Sequence, residues 1–168
     1  LVDIALRPDV GVCGPLLLYG DMTIQHAGVV VGMGGWADHV FKGLPALHAQ
    51  NCFASPVMRR NVLAVTGACM AMEKTKFDAL GGFDESFIVC GSDVEICLRA
   101  FHNGLLNVYV PEAKLVHHES KTRDPGKIPE TDFVRSEQAY HPYRTAGDPY
   151  FNHNLDPMSC VPRPRNMP

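Results

Sequence analysis

Between Ser92 and Asn103, Val94, Cys97, Leu98 and Phe101 recur at i, i+3, i+4 and i+7. That spacing predicts an amphipathic helix whose single apolar stripe has to be buried. Its limits are marked on both sides. Gly104 follows, and ahead of it Gly81-Gly82-Phe83-Asp84-Glu85-Ser86-Phe87 reads as a helix stop and a tight turn. Ser92-x-x-Glu95 has the form of a capping box, in which the serine accepts from the third helical N–H and the glutamate reaches back to the cap. Asp93 is left over by that arrangement. At the first helical position it is either a favourable partner of the helix dipole or a carboxylate held ionised at the edge of a cleft.

The rest of the chain supplies strands for such a helix to pack on. Val10 to Tyr19 is apolar and β-prone, interrupted by Gly14-Pro15, and reads as a buried strand with a bend. Gly20-Asp21 turns it back into a return strand from Thr23 to Met33. From Gly34 to Arg60 the pattern dissolves into a long loop, the kind that is usually functional. Asn61 to Met72, with no charge until Glu73, reads as a central strand, and Lys74 to Leu80 as a short helix. Leu106 to Val110 and Lys114 to His117 are strand segments around Pro111. Eight of the 13 prolines lie beyond Lys121, which predicts an irregular arm with at most one short helix around Thr131 to Tyr140.

At 168 residues the chain suits one domain. A net charge of -3 without a run of Lys or Arg argues against nucleic acid as a partner. The six cysteines show no C-x-x-C and no zinc spacing, which favours reduced, buried thiols in a cytosolic protein. No apolar run approaches the ~20 residues of a transmembrane helix. The chain opens on Leu1 rather than Met, and reads as a piece of something longer.

Two polar clusters could carry chemistry. The first is Asp93. The second is the strand end His117-His118-Glu119-Ser120. Adjacent strand residues point to opposite faces, so one imidazole can enter a cleft and ligate a divalent metal or hydrogen-bond a phosphate. The alternative is a structural hydrogen bond. Ser120, Lys121 and Arg123 would suit phosphate oxygens, or form a solvated basic loop. Trp36, between glycines and a polar loop, is a platform for a sugar face or a loop aromatic packed on the core. His26, His39 and His48 have no convincing ligand spacing.

In order along the chain, Arg7-Pro8-Asp9-Val10-Gly11, Thr23-Ile24-Gln25-His26-Ala27-Gly28-Val29-Val30, Val65-Thr66-Gly67-Ala68-Cys69, Gly81-Gly82-Phe83-Asp84-Glu85, Ser92-Asp93-Val94-Glu95-Ile96-Cys97-Leu98-Arg99, Tyr109-Val110-Pro111-Glu112-Ala113, His117-His118-Glu119-Ser120 and Asp148-Pro149-Tyr150-Phe151-Asn152 resemble the C-terminal part of a family 2 glycosyltransferase. The type is the bacterial one that builds O-antigen, rhamnan and similar surface polysaccharides. The resemblance implies an α/β fold: the C-terminal portion of a GT-A fold, a mixed sheet with flanking helices and an irregular C-terminal arm. It implies inverting transfer of a sugar from a nucleotide-diphosphate donor to a glycan acceptor. Asp93 matches the catalytic base, Thr66, Gly67 and Ala68 the segment beside donor sugar and acceptor, and His117 the histidine near the metal and diphosphate. Arg99, on the same helix, is better read as half of an ion pair.

Two departures stand out. Glu95 replaces the usual aspartate, and the Asp-x-Asp motif that holds Mn²⁺ or Mg²⁺ is absent from the sequence. On this reading residues 1–120 are the acceptor-side half of the domain and 121–168 a Pro-rich arm. The N-terminal nucleotide-binding half is missing, so the fragment is expected to be inactive alone and to self-associate through exposed sheet edges. The location implied is cytoplasmic, at or near the inner face of the membrane. The competing reading is a non-catalytic module, derived from a glycosyltransferase, that binds glycan or protein.

Overall fold

The computed structural model describes residues 1–46, 55–118 and 128–165. In chain order its elements are α1 (Val2–Ala5), β1 (Val10–Leu18), β2 (Ile24–His26), β3 (Val29–Val31), β4 (Ala37–His39), β5 (Arg60–Val62), β6 (Ala71–Met72), α2 (Lys74–Ala79), α3 (Ser92–His102), β7 (Leu106–Val116) and α4 (Glu130–Ala146). The chain is mixed α/β, compatible with an α/β glycosyltransferase-like fold.

The central pair is β1 and β7, which run parallel. Parallel neighbours need a crossover, and α3 supplies it, leading into β7 through the Gly104 turn. β2 and β6 lie antiparallel to β1 at its C-terminal and N-terminal ends, and β5 lies antiparallel to β7. β3 and β4 form a separate antiparallel hairpin.

Gly11 marks where α3 meets the sheet. A Cβ there would lie 2.8 Å from that of Ala100, so any side chain would push the helix away. The β1–β7 register also shifts between Val10 and Cys13, and the freed amide of Val12 is taken up by the Asn107 side chain at 3.2 Å. A second shift, between Pro15 and Leu16, absorbs Pro111-Glu112-Ala113 in β7. The two segments expected around Pro111 are thereby one strand.

The helix over 92–102 matches the stripe expected, with Val94, Cys97 and Leu98 buried and Phe101 packed against the core. The Gly81-Gly82 stop is also as expected: both residues have positive φ, and Gly82 N–H donates to Phe77 O at 2.9 Å. Asp84 is a turn residue, accepting from the Ser86 amide at 2.9 Å.

Other elements differ from expectation. The return strand breaks at Gly28 (φ 99°) into β2 and β3, which enter different sheets. Asn61 to Met72 is not a central strand: only its ends pair, as β5 and β6. Leu63, Ala64 and Val65 between them are fully buried and lack strand pairing apart from one bridge from Ala64 to Val29. The long loop after Gly34 contains β4, and residues 47–54 of it lie outside the described residues. The short helix expected in the arm is a 17-residue helix, α4, packed on α3 and β3.

Candidate functional site

Asp93 occupies the first turn of α3, entered through Gly91 at φ 106°. Its Oδ2 accepts from the Gly67 amide at 2.7 Å and its Oδ1 from its neighbour Val94 at 2.9 Å. The carboxylate is thus held across two segments 26 residues apart. Each oxygen has a second acceptor site left over for a hydroxyl. Gly67 allows the approach: a Cβ there would sit 3.1 Å from that of Asp93.

The expected capping box does not form. Gly91 is the residue before the helix, and no side chain caps its end. Glu95 turns the other way, pairing two-pronged with Arg99 at 2.6 and 2.7 Å. Arg99 also donates to Gly82 O at 2.6 Å and to Leu80 O, so the ion pair ties the Gly81-Gly82 turn to α3. A bidentate guanidinium outcompetes a solvent-facing cap.

Beneath the site lies Asn107, fully buried on β7. Besides holding Val12 N–H, its amide donates to Leu63 O and Cys97 O, both at 2.8 Å. One side chain therefore links β1, the 63–67 segment and α3, the last two being the segments that bring Gly67 to Asp93. Cys97 packs beside it, its thiol pushed up to about 12 by burial and so inert as a nucleophile.

Thr66 and Ala68 continue from Gly67 into a cleft of about 90 Å³ that His117 also lines, with Tyr19, Gln25, His39 and Lys42. His117 Nδ1 lies 2.7 Å from Gln25 Oε1, which fixes the ring and leaves Nε2 as the nitrogen for a ligand. His39 Nδ1 lies 2.8 Å from Nδ1 of His26. One proton bridges those two nitrogens, so one ring donates and the other accepts. His26 is completely buried, and burial first, then His39 and Arg60, hold its basicity well below the ordinary range.

Asp93, Thr66, Gly67, Ala68 and His117 are therefore brought into one neighbourhood. Trp36 is placed differently. It sits edge-on to Phe133 and Tyr140 of α4 at 5.8 and 5.9 Å, with the Arg144 guanidinium 5.0 Å from its ring centre. Ser120 and Arg123 lie outside the described residues. Sequence reasoning passed over Gln25, Lys42 and Asn107, and set His39 aside for want of a ligand spacing. For Gln25 a signal existed: a polar residue inside an apolar strand segment.

A divalent metal does not fit the described residues alone. Among them no group of three or more His, Cys, Asp and Glu side chains converges to hold one, so His117 offers one ligand at most. No helix among them is long and apolar enough to cross a membrane.

No protein-family model matches the sequence. The chain is 47% identical over 156 residues to O-antigen biosynthesis protein RfbC of Myxococcus xanthus, a match covering 92% of this chain and 12% of that protein. It is 40% identical over 164 residues to the uncharacterized protein y4gI of Sinorhizobium fredii, covering 92% and 18%. Over 63 residues it is 36% identical to N-acetylglucosaminyl-diphospho-decaprenol L-rhamnosyltransferase of Mycobacterium tuberculosis, covering 36% and 20%. The chain thus spans less than a fifth of the length of the first two relatives. The names of the first and third support a glycosyltransferase-like relationship in polysaccharide biosynthesis.

Proposed function

We propose that this chain is the acceptor-side, C-terminal part of an inverting GT-A glycosyltransferase of family 2, with Asp93 as general base. The observation that carries the reading is the 2.7 Å bond from Gly67 N–H to Asp93 Oδ2, next to the cleft of Thr66, Ala68 and His117. It orients one carboxylate against the segment whose Thr66 and Ala68 line a polar cleft, and base catalysis on a hydroxyl requires such a fixed carboxylate.

In the reaction so read, an acceptor hydroxyl oxygen attacks the anomeric carbon of a nucleotide-diphosphate sugar from the face opposite the leaving group. The bond from that carbon to the diphosphate oxygen breaks, and the nucleoside diphosphate leaves with the electron pair. The hydroxyl proton passes to Asp93. Thr66, Gly67 and Ala68 border the sugar and acceptor. His117, its Nδ1 occupied by Gln25, directs Nε2 toward the diphosphate. A divalent cation would neutralise the diphosphate when bound, with its main ligands supplied from outside the described residues.

The reading is tested by incubating the full-length protein and Mn²⁺ with UDP-, GDP- and dTDP-sugars labelled in the sugar, together with cell-envelope glycan. Transfer with inversion at the anomeric carbon is expected from one of these donors. Retention of configuration, or donor-independent glycan binding without transfer, would contradict it.

A further inference from the structure

The approach to Asp93 is held by a residue from the far end of the chain. Asp132, in the first turn of α4, is fully buried. Its Oδ1 accepts from Ile88 N–H at 2.9 Å, and its Oδ2 from Val89 and Cys90 N–H at 2.7 and 3.1 Å. Three consecutive amides converge on one carboxylate, in the loop that runs through Gly91 and Ser92 into Asp93. The Ile88 side chain is 69% exposed, so apolar packing of that residue does not hold the loop.

α4 continues the same contact along one face. Ser136 and Tyr140 follow Asp132 at i+4 and i+8, and both are buried. A Cβ on Gly91 would lie 2.8 Å from Ser136 Oγ and 2.7 Å from the Phe87 ring, so Gly91 is wedged between helix and loop. Burial, with a smaller contribution from the charge of Asp93, pushes the Tyr140 hydroxyl above its ordinary range. The polar stripe of α4 therefore meets the loop at Asp132 and the helix entry at Ser136.

We propose that Asp132 is a positioning residue for Asp93: by gathering the amides of 88–90 it fixes the first turn of α3, and with it the carboxylate against Gly67. The assignment of a catalytic task to Asp93 rests on the function proposed above; the positioning itself does not. Losing it displaces a carboxylate whose reaction tolerates little misplacement, where ~1 Å can cost roughly 100-fold in rate.

The test compares wild type with Asp132→Asn by amide hydrogen exchange and by the NMR chemical shift of the Gly67 amide. The bond to Asp93 sets that shift, and Asp93→Ala, which removes the acceptor, is expected to give its value without the contact. In Asp132→Asn, exchange at Ile88, Val89 and Cys90 is expected to rise at least about 10-fold. The Gly67 shift should move at least about half of the way to the Asp93→Ala value, while β1 and β7 keep their protection. Should the variant not fold, Asp132→Glu, which keeps the charge and moves it by one methylene, is expected to give the same changes at smaller size. A wild-type Gly67 shift alongside a loosened 88–90 loop would reduce Asp132 to a structural residue and overturn the proposal. Neither readout needs turnover, so an absence of glycosyl transfer would count against the proposed function and not against this one.

Discussion

The amide of Gly67 donates to Oδ2 of Asp93 at 2.7 Å, joining a segment that follows β5 to the first turn of α3. The contact is close because residue 67 has no side chain. Gly67→Val should push the carboxylate away from the cleft. Because Gly67 is exposed, stability should change by less than about 1 kcal/mol, while transfer activity falls at least about 10-fold. Urea unfolding together with a turnover assay separates the two; unchanged turnover would mean that this contact does not set the geometry.

Asn107→Leu is expected to destabilise far more. It leaves Val12 N–H, Leu63 O and Cys97 O without their partner, all in the interior. Orphaned buried groups cost about 1–3 kcal/mol each and Cys97 O keeps its helical partner, so a total loss of about 2 kcal/mol or more should appear in denaturant titrations. A loss under 1 kcal/mol would show that water or backbone shifts replace the side chain.

Arg99→Ala should cost more than Glu95→Gln. The guanidinium bonds Leu80 O and Gly82 O in addition to the carboxylate, whereas Glu95 has no role as a cap. A double-mutant cycle should give the Glu95–Arg99 pair about 1 kcal/mol and leave a residual cost on the arginine side alone. Equal single-mutant losses would argue that the turn carbonyls contribute nothing.

Legibility in the sequence followed how local each cause was. The α3 stripe, the Gly81-Gly82 stop and β1 were readable because period and turn chemistry act within a few residues. Leu63 to Val65 looked like a central strand because full burial makes a segment apolar whether or not it pairs. α4 reads only as a short helix around Thr131 to Tyr140, for the opposite reason. Its buried face is Asp132, Ser136, Tyr140 and Tyr143, and Pro142 sits inside it, so it has neither an apolar period nor a clean helical sequence. The capping motif misled because Arg99, one turn away, claims Glu95. Asp93 and His117 stand out by their places at a helix start and a strand end, and Thr66 by resemblance, whereas their supports, Gln25 and Asn107, depend on contacts across the sheet.

Asp148 should give the protein a distinctive acid response. Burial raises its carboxyl from the ordinary 3.8 to about 6, against the hydrogen bonds it accepts from Tyr150 and Val31. The folded state therefore binds the proton more tightly than the unfolded chain does. The stability this contributes is fully present below 3.8 and is lost as pH rises through about 6, a swing of about 3 kcal/mol. Unfolding free energies of wild type relative to Asp148→Asn should thus fall between pH 4 and pH 7. A difference that stays flat across that range would show an ordinary carboxylate.

The most direct test of the catalytic reading is Asp93→Asn in the full-length protein, with donor binding by calorimetry and transfer measured on the same preparation. Asparagine keeps the shape and an acceptor for Gly67 N–H but cannot take the hydroxyl proton. Turnover is expected to fall about 10²- to 10⁴-fold with donor affinity nearly unchanged. Turnover within a few-fold of wild type would remove Asp93 from the role of base.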